Sequence, residues 1–216
     1  MIIRWHGFSC FELGLKRPQQ EDVSLIINPF ITTEGKPFIK NLPAQIVVFS
    51  GGEIKELRDP QVFSDPFFID EPGEYEIKEA CIDAFLAPRF QNLNSKHLIF
   101  RFEIEEIHIA HLGVIDRSLE DKELSYLRNI DILLLPVGGG SVMSPKIAVE
   151  VIGQIEPRVV IPMMYATPGR EESLLTLEDF CKELGTCRQE QVNEYKVSRK
   201  DLPDEDMIVV ILSPKS

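Results

Sequence analysis

Side chains able to do chemistry are sparse here and fall into a few short groups. Ser50 and Lys55 can be read as a Ser–Lys nucleophilic pair, in which the lysine amine activates the hydroxyl. His108 and His111 lie at i and i+3 at the end of a run of β-branched residues, so a strand sends them to opposite faces. His111 then falls at a loop edge where a functional site can form, and His108 on a strand face. His6 and His97 have no partner at a recognisable spacing and read as structural or exposed. The segment Val137-Gly-Gly-Gly-Ser141 has the look of a phosphate cradle but lacks the Lys-Ser/Thr ending of a P-loop. Its glycines instead let backbone pass close to a neighbouring chain. Cys10, Cys81, Cys181 and Cys187 show neither zinc-ribbon nor CxxC spacing, and free buried thiols are expected.

The elements that must position these groups change character along the chain. The first half is strand-like: Ile2 to Arg4, Ser9 to Leu13, Val23 to Ile27, Gln45 to Phe49, Phe67 to Ile69, Glu74 to Ile77 and Ala80 to Leu86. Pro72-Gly73 marks a turn, and residues 97–110 read as a hairpin. The second half alternates strands and helices. Ser118 to Asp121 looks like a capping box, and Ile130 to Pro136 like a strand buried on both faces. Ser144-Pro145 supplies an N-cap and a proline at the first helical position, followed by Ile147, Ala148, Val151 and Ile155 at helical spacing. Pro157 to Met163 reads as another buried strand, Thr176 opens a helix that Gly185 stops, and residues 206–212 form a last strand. Two sheets packed together with helices outside satisfy this order, in one domain spanning 1–216. Residues 88–95 and 189–206 read as surface segments.

Composition narrows the partners. With 23 Lys plus Arg against 35 Asp plus Glu, the formal charge is −12, which repels phosphate backbones and anionic lipid heads. Nucleic acid and membrane are therefore not expected as partners; a ligand, a protein or another copy of the chain is. The first residues lack a sustained apolar run, so a cytoplasmic protein is expected.

Seven phrases occur in one order: Trp5-His-Gly-Phe-Ser-Cys-Phe11, Ile27-Asn-Pro-Phe30, Val48-Phe-Ser-Gly-Gly-Glu-Ile-Lys-Glu-Leu57, Pro72-Gly-Glu-Tyr75, His111-Leu-Gly-Val114, Asp131-Ile-Leu-Leu-Leu-Pro-Val-Gly-Gly139 and Ile161-Pro-Met-Met-Tyr165. Together they resemble the metallo-β-lactamase superfamily, in its lactonase-like branch of Zn-dependent hydrolases. The resemblance implies an α/β fold, a four-layer αβ/βα sandwich, with its site on loops at one edge of the two sheets. It also implies one or two Zn or Mn ions held by histidines and acids, lowering the pKa of a bound water so that it attacks a lactone, ester or phosphodiester.

The departures fall on the metal ligands. Where the family writes T-H-x-H-x-D-H, this chain has Ser50, Gly51, Glu53, Lys55 and Glu56 at the five named positions. Phe8, Asn28, Val114 and Met164 replace a histidine, an aspartate, a bridging aspartate and a histidine, and of the ligands His111 alone matches. The expectation is a protein without catalytic residues or cofactor: a vestigial, metal-free site on a domain that binds or regulates. Lys55 between Glu53 and Glu56 would replace the ion electrostatically, unless the run is a solvated charged loop. Two alternatives stay open: a hydrolase with Zn or Mn on Glu53, Glu56 and His111, and a metal-free hydrolase with His111 as general base.

Overall fold

A computed structural model describes residues 1–17, 21–31, 43–51, 57, 59, 62, 63, 65–91, 96–168, 173–185, 187 and 191–215. Its first half is a run of strands: β1 (Ile2–Gly7), β2 (Cys10–Leu15), β3 (Val23–Ile27), β4 (Ile46–Val48), β5 (Phe67–Ile69), β6 (Gly73–Ile77), β7 (Ala80–Leu86), β8 (Leu98–Ile104) and β9 (Ile107–His111). Alternation follows, with α1 (Asp121–Tyr126), β10 (Ile132–Pro136), α2 (Pro145–Ile155), β11 (Val159–Met163) and α3 (Leu177–Leu184). Four two-residue strands close the chain: β12 (Gln191–Val192), β13 (Tyr195–Lys196), β14 (Ile208–Val209) and β15 (Ile211–Leu212). No helix among the described residues is long and apolar enough to cross a membrane.

Two mixed sheets carry the architecture. One runs β13-β1-β2-β3-β4-β5 and the other β14-β11-β10-β9-β8-β7-β6; β12 and β15 form a small parallel pair. Each sheet is antiparallel where hairpins connect its strands and parallel where longer crossovers do. Period-two alternation divides the first sheet between two cores. Val23, Leu25 and Ile27 of β3 and Ile46 and Val48 of β4 face the second sheet, against Phe100, Phe102 and Ile109. Ile26 and Val47 face the other way, under Leu57, Val62 and Phe63. β10 and β11 are buried at every position, as strands covered on both faces must be. The amphipathic α2 is laid on this core by Ala148, Val151 and Ile155.

Local caps explain where the helices begin and end. Ser144 accepts the Ile147 N–H ahead of Pro145, and Thr176 shares a capping box with Asp179 before Gly185, at φ 84, ends α3 in the left-handed region. Four expectations need correcting. The α1 cap is Glu120 rather than Ser118, because the Glu123 carboxylate takes the Glu120 N–H at 2.9 Å and is itself fixed by Arg117. The stretch 189–206 is not all surface loop, since Tyr195–Lys196 pairs antiparallel along β1 and extends the first sheet; the last strand is divided as well, β14 joining β11 and β15 joining β12. The cysteines are not all free buried thiols. The turn at Gly185 brings Cys187 back to Cys181, where the two form a disulfide across 5.3 Å between Cα atoms, and Cys81 is exposed. Cys10 alone is free and buried, and burial pushes its thiol well up.

Candidate functional site

The turns after β1, β3 and β4 meet the end of β9 and the turns that follow β10 and β11 at one edge of the two sheets. Ser50 is the hub. Its backbone N–H donates to Asn28 Oδ1 at 2.7 Å, and its carbonyl accepts the N–H of Leu98 from the second sheet at 2.7 Å. Asn28 Nδ2 donates to the hydroxyls of both Ser50 and Ser9, at 2.6 and 3.1 Å. The Asn28 N–H is itself tied to Val48 O at 2.9 Å. A carboxamide suits this place because it donates two bonds and accepts one at once, which an ionised aspartate cannot do.

His111 ends β9 with no exposed surface, edge-on to Phe11. Its Nε2 meets Ser9 O at 3.0 Å, and its Nδ1 accepts the Gly113 N–H at 3.1 Å. Those partners fix the neutral tautomer with the proton on Nε2, and neither nitrogen keeps a free lone pair. Burial holds the imidazole down to about 3. His97 repeats the pattern: Nδ1 donates to Ala87 O at 2.9 Å, Nε2 accepts the Val114 N–H at 3.0 Å, and burial lowers the ring to about 4. Gly113, at φ 63, fits between them because it has no side chain; a Cβ there would stand 2.4 Å from His97 Nε2 and 2.7 Å from Ser50 Oγ.

The remaining predicted positions are mostly apolar. Phe8 stacks edge-on to Phe30 with ring centroids 4.7 Å apart, Met164 is buried, and Val114 is half-buried against the core. Gly51 is exposed, and a Cβ added to it would meet nothing within 4 Å among the described residues. Glu53, Lys55 and Glu56 lie outside the described residues. In the glycine segment, a Cβ at Gly138 would sit 2.1 Å from Met164 O, while Gly138 O accepts the Leu175 N–H at 2.6 Å. Gly138 thus serves close backbone approach, while Gly139 and Gly140 take the left-handed region at φ 68 and 62. Ser9 and His97 belong to the centre, and neither was singled out for it by spacing; they come from the β1–β2 turn and the segment ahead of β8, far apart in sequence.

Such a centre can hold two sheet edges together, and its described polar groups are already paired with one another or with backbone. No group of three or more His, Cys, Asp or Glu side chains among the described residues is placed to hold an ion. More telling, an ion at His111 would have to displace Ser9 O or Gly113 N–H from the ring, leaving a buried backbone group unpaired.

The family model for the beta-lactamase superfamily domain matches residues 2–164 of the 216. The chain belongs to the metallo-β-lactamase superfamily. A UPF0173 protein of Pyrococcus abyssi is 27% identical over 186 residues, covering 78% of this chain and 85% of the relative. A UPF0173 metal-dependent hydrolase of Methanopyrus kandleri is 35% identical over 82 residues, 38% of this chain and 36% of that one. A solved structure from Thermotoga maritima, assigned to the Zn-dependent hydrolases of the superfamily, shares 28% identity at a TM-score of 0.80, covering 98% of this chain and 97% of that one. The α/β metallo-β-lactamase fold implied by the seven sequence phrases is thus the fold of this chain.

Proposed function

We propose that this chain is a metal-free member of the superfamily, close to its lactonase-like branch, that binds or regulates instead of hydrolysing. The observation that carries the proposal is His111. The one retained ligand-type side chain spends both ring nitrogens on backbone groups, Ser9 O and Gly113 N–H. The same bonds argue against His111 as a metal-free general base, since its basic nitrogen already accepts a hydrogen bond and burial keeps the ring neutral to about pH 3. Phe8, Val114 and Met164 add apolar packing where a hydrolase of this family would place metal ligands.

A metal-dependent hydrolase is the rival function, favoured by the description of the Methanopyrus kandleri relative. Its ligands would be Glu53, Glu56 and His111, and would require the His111 ring to give up Ser9 O or the Gly113 N–H. Metal content by mass spectrometry, on protein purified without tag or chelator, separates the two. Near-zero zinc and manganese, with melting temperature unmoved by either ion, is expected. Stoichiometric metal that Glu53→Ala removes would overturn the proposal, and lactone and phosphodiester substrates would then be the ones to assay.

A further inference from the structure

β6 is the last strand of its sheet: one edge pairs with β7, and the other makes no backbone hydrogen bond to any described residue. Beside it lies an apolar surface. Phe67 and Leu86 are 51% and 53% exposed and Tyr126 is 40% exposed, with Phe67 edge-on to Tyr75 and Phe85 stacked on Tyr126 at 4.0 Å between centroids. Gly73, Glu74, Phe85, Leu86, Lys122 and Tyr126 border a hollow of about 320 Å³ on the outer face. The strand's two faces differ in charge. Glu74 and Glu76 point outward and are exposed, while Tyr75 and Ile77 are half-buried toward the core. Residues 67–77 hold four acids and no base. Of these, Glu71 pairs with Lys96, whereas Glu74 and Glu76 have no ionic partner among the described residues.

We propose that the free edge of β6 is a docking strand for an extended protein segment that alternates basic and apolar residues. Added antiparallel to β6, such a segment completes the unpaired backbone row. Its apolar residues cover Tyr75 and Phe67. Its basic residues meet Glu74 and Glu76, and one enters the hollow over the Phe85–Tyr126 pair, where a guanidinium gains from an aromatic face and a nearby carboxylate. Lys122 borders the same hollow. Charge also decides against a second copy. Antiparallel self-pairing centred on Tyr75 sets Glu74 opposite Glu76 of the copy twice over, and like charges so placed repel. The inference does not depend on the buried centre, with or without metal.

The probe is a fluorescent eight-residue peptide alternating arginine and valine, titrated by fluorescence anisotropy at low salt. Saturable one-to-one binding is expected, with about a tenfold loss of affinity on combining Glu74→Lys and Glu76→Lys. A peptide N-methylated at alternate amides tests the backbone pairing on unaltered protein, and it should not bind. A Tyr126→Ala variant should weaken binding while the melting temperature confirms that it is folded. Equal binding by the N-methylated peptide or by the charge-reversed protein, or no saturable binding at all, would overturn the proposal. A dimer seen by sedimentation and lost on Tyr126→Ala would assign the edge to a second copy and overturn it equally.

Discussion

Replacing His111 by alanine distinguishes a hydrogen-bonded strut from a metal ligand. The ring is fully buried, so its removal leaves a cavity beside Phe11 and strands the Gly113 N–H and the Ser9 carbonyl. Two net hydrogen bonds contribute about 1 kcal/mol each, and the cavity with its unpaired donor adds about 2 kcal/mol, giving a loss near 4 kcal/mol. Urea denaturation read by tryptophan fluorescence measures it, since Trp5 is the single tryptophan and packs in the same core. The decisive arm compares chelator with added zinc. A strut costs the same in both, and the unaltered protein is equally stable in both. A loss that is large in zinc and vanishes in chelator would make His111 a ligand and refute the hydrogen-bond argument. A loss below about 1 kcal/mol in both would show that the ring is not bonded as described.

Two further outcomes follow from the same centre. Gly113→Ala forces a Cβ within 2.4 Å of His97 Nε2 at a φ of 63, so overpacking and left-handed strain together should cost about 2–4 kcal/mol in urea; a cost under 1 would mean the loop yields freely. Acid should weaken the fold through His97 and His111, whose folded pKa values of about 4 and about 3 lie below the ordinary 6.5. Below pH 6.5 the unfolded chain binds the protons that the folded chain refuses, so stability is full above that pH and falls as pH drops toward 4. Each ring contributes up to about 1.4 kcal/mol per pH unit. A stability flat between pH 6.5 and 4.5 would contradict both burial and tautomer assignments.

How much of this was legible in the sequence depended on whether the signal was local. Ser144-Pro145, Thr176 and Gly185 act within one helical turn, so the starts of α2 and α3 and the stop of α3 could be read directly. The wholly apolar β10 and β11 announce burial on both faces. What escaped rests on contacts between distant residues. The two-residue β13 is a strand only because the edge of β1 lies beside it. The Cys181–Cys187 bond depends on a chain reversal at Gly185. Around the centre, His111 and the departed ligand positions were visible as motif positions. The bonds that occupy His111 were not, since Ser9 O is 102 residues away and Gly113 donates from the backbone.

Phe8, Asn28 and Met164 carry the remaining argument, because all three have left-handed backbone, with φ of 53, 47 and 54. Asparagine tolerates that region; phenylalanine and methionine pay about 1–2 kcal/mol for it. Nothing about an apolar side chain calls for such a conformation. The backbone contacts do: Trp5 Nε1 donates to Phe8 O at 3.0 Å, Asn28 N–H to Val48 O, and the Gly138 backbone closes on Met164 O. These are also the three turns at which the family motifs carry a histidine, an aspartate and a histidine. The turn that aims a side chain at the centre is thus set by the strands and their glycines, independently of the side chain it aims. On the metal-free reading proposed above, that separation lets the fold keep these three turns while Phe8 and Met164 pack apolar surface and Asn28 ties the turns of the first sheet together through Ser9 and Ser50.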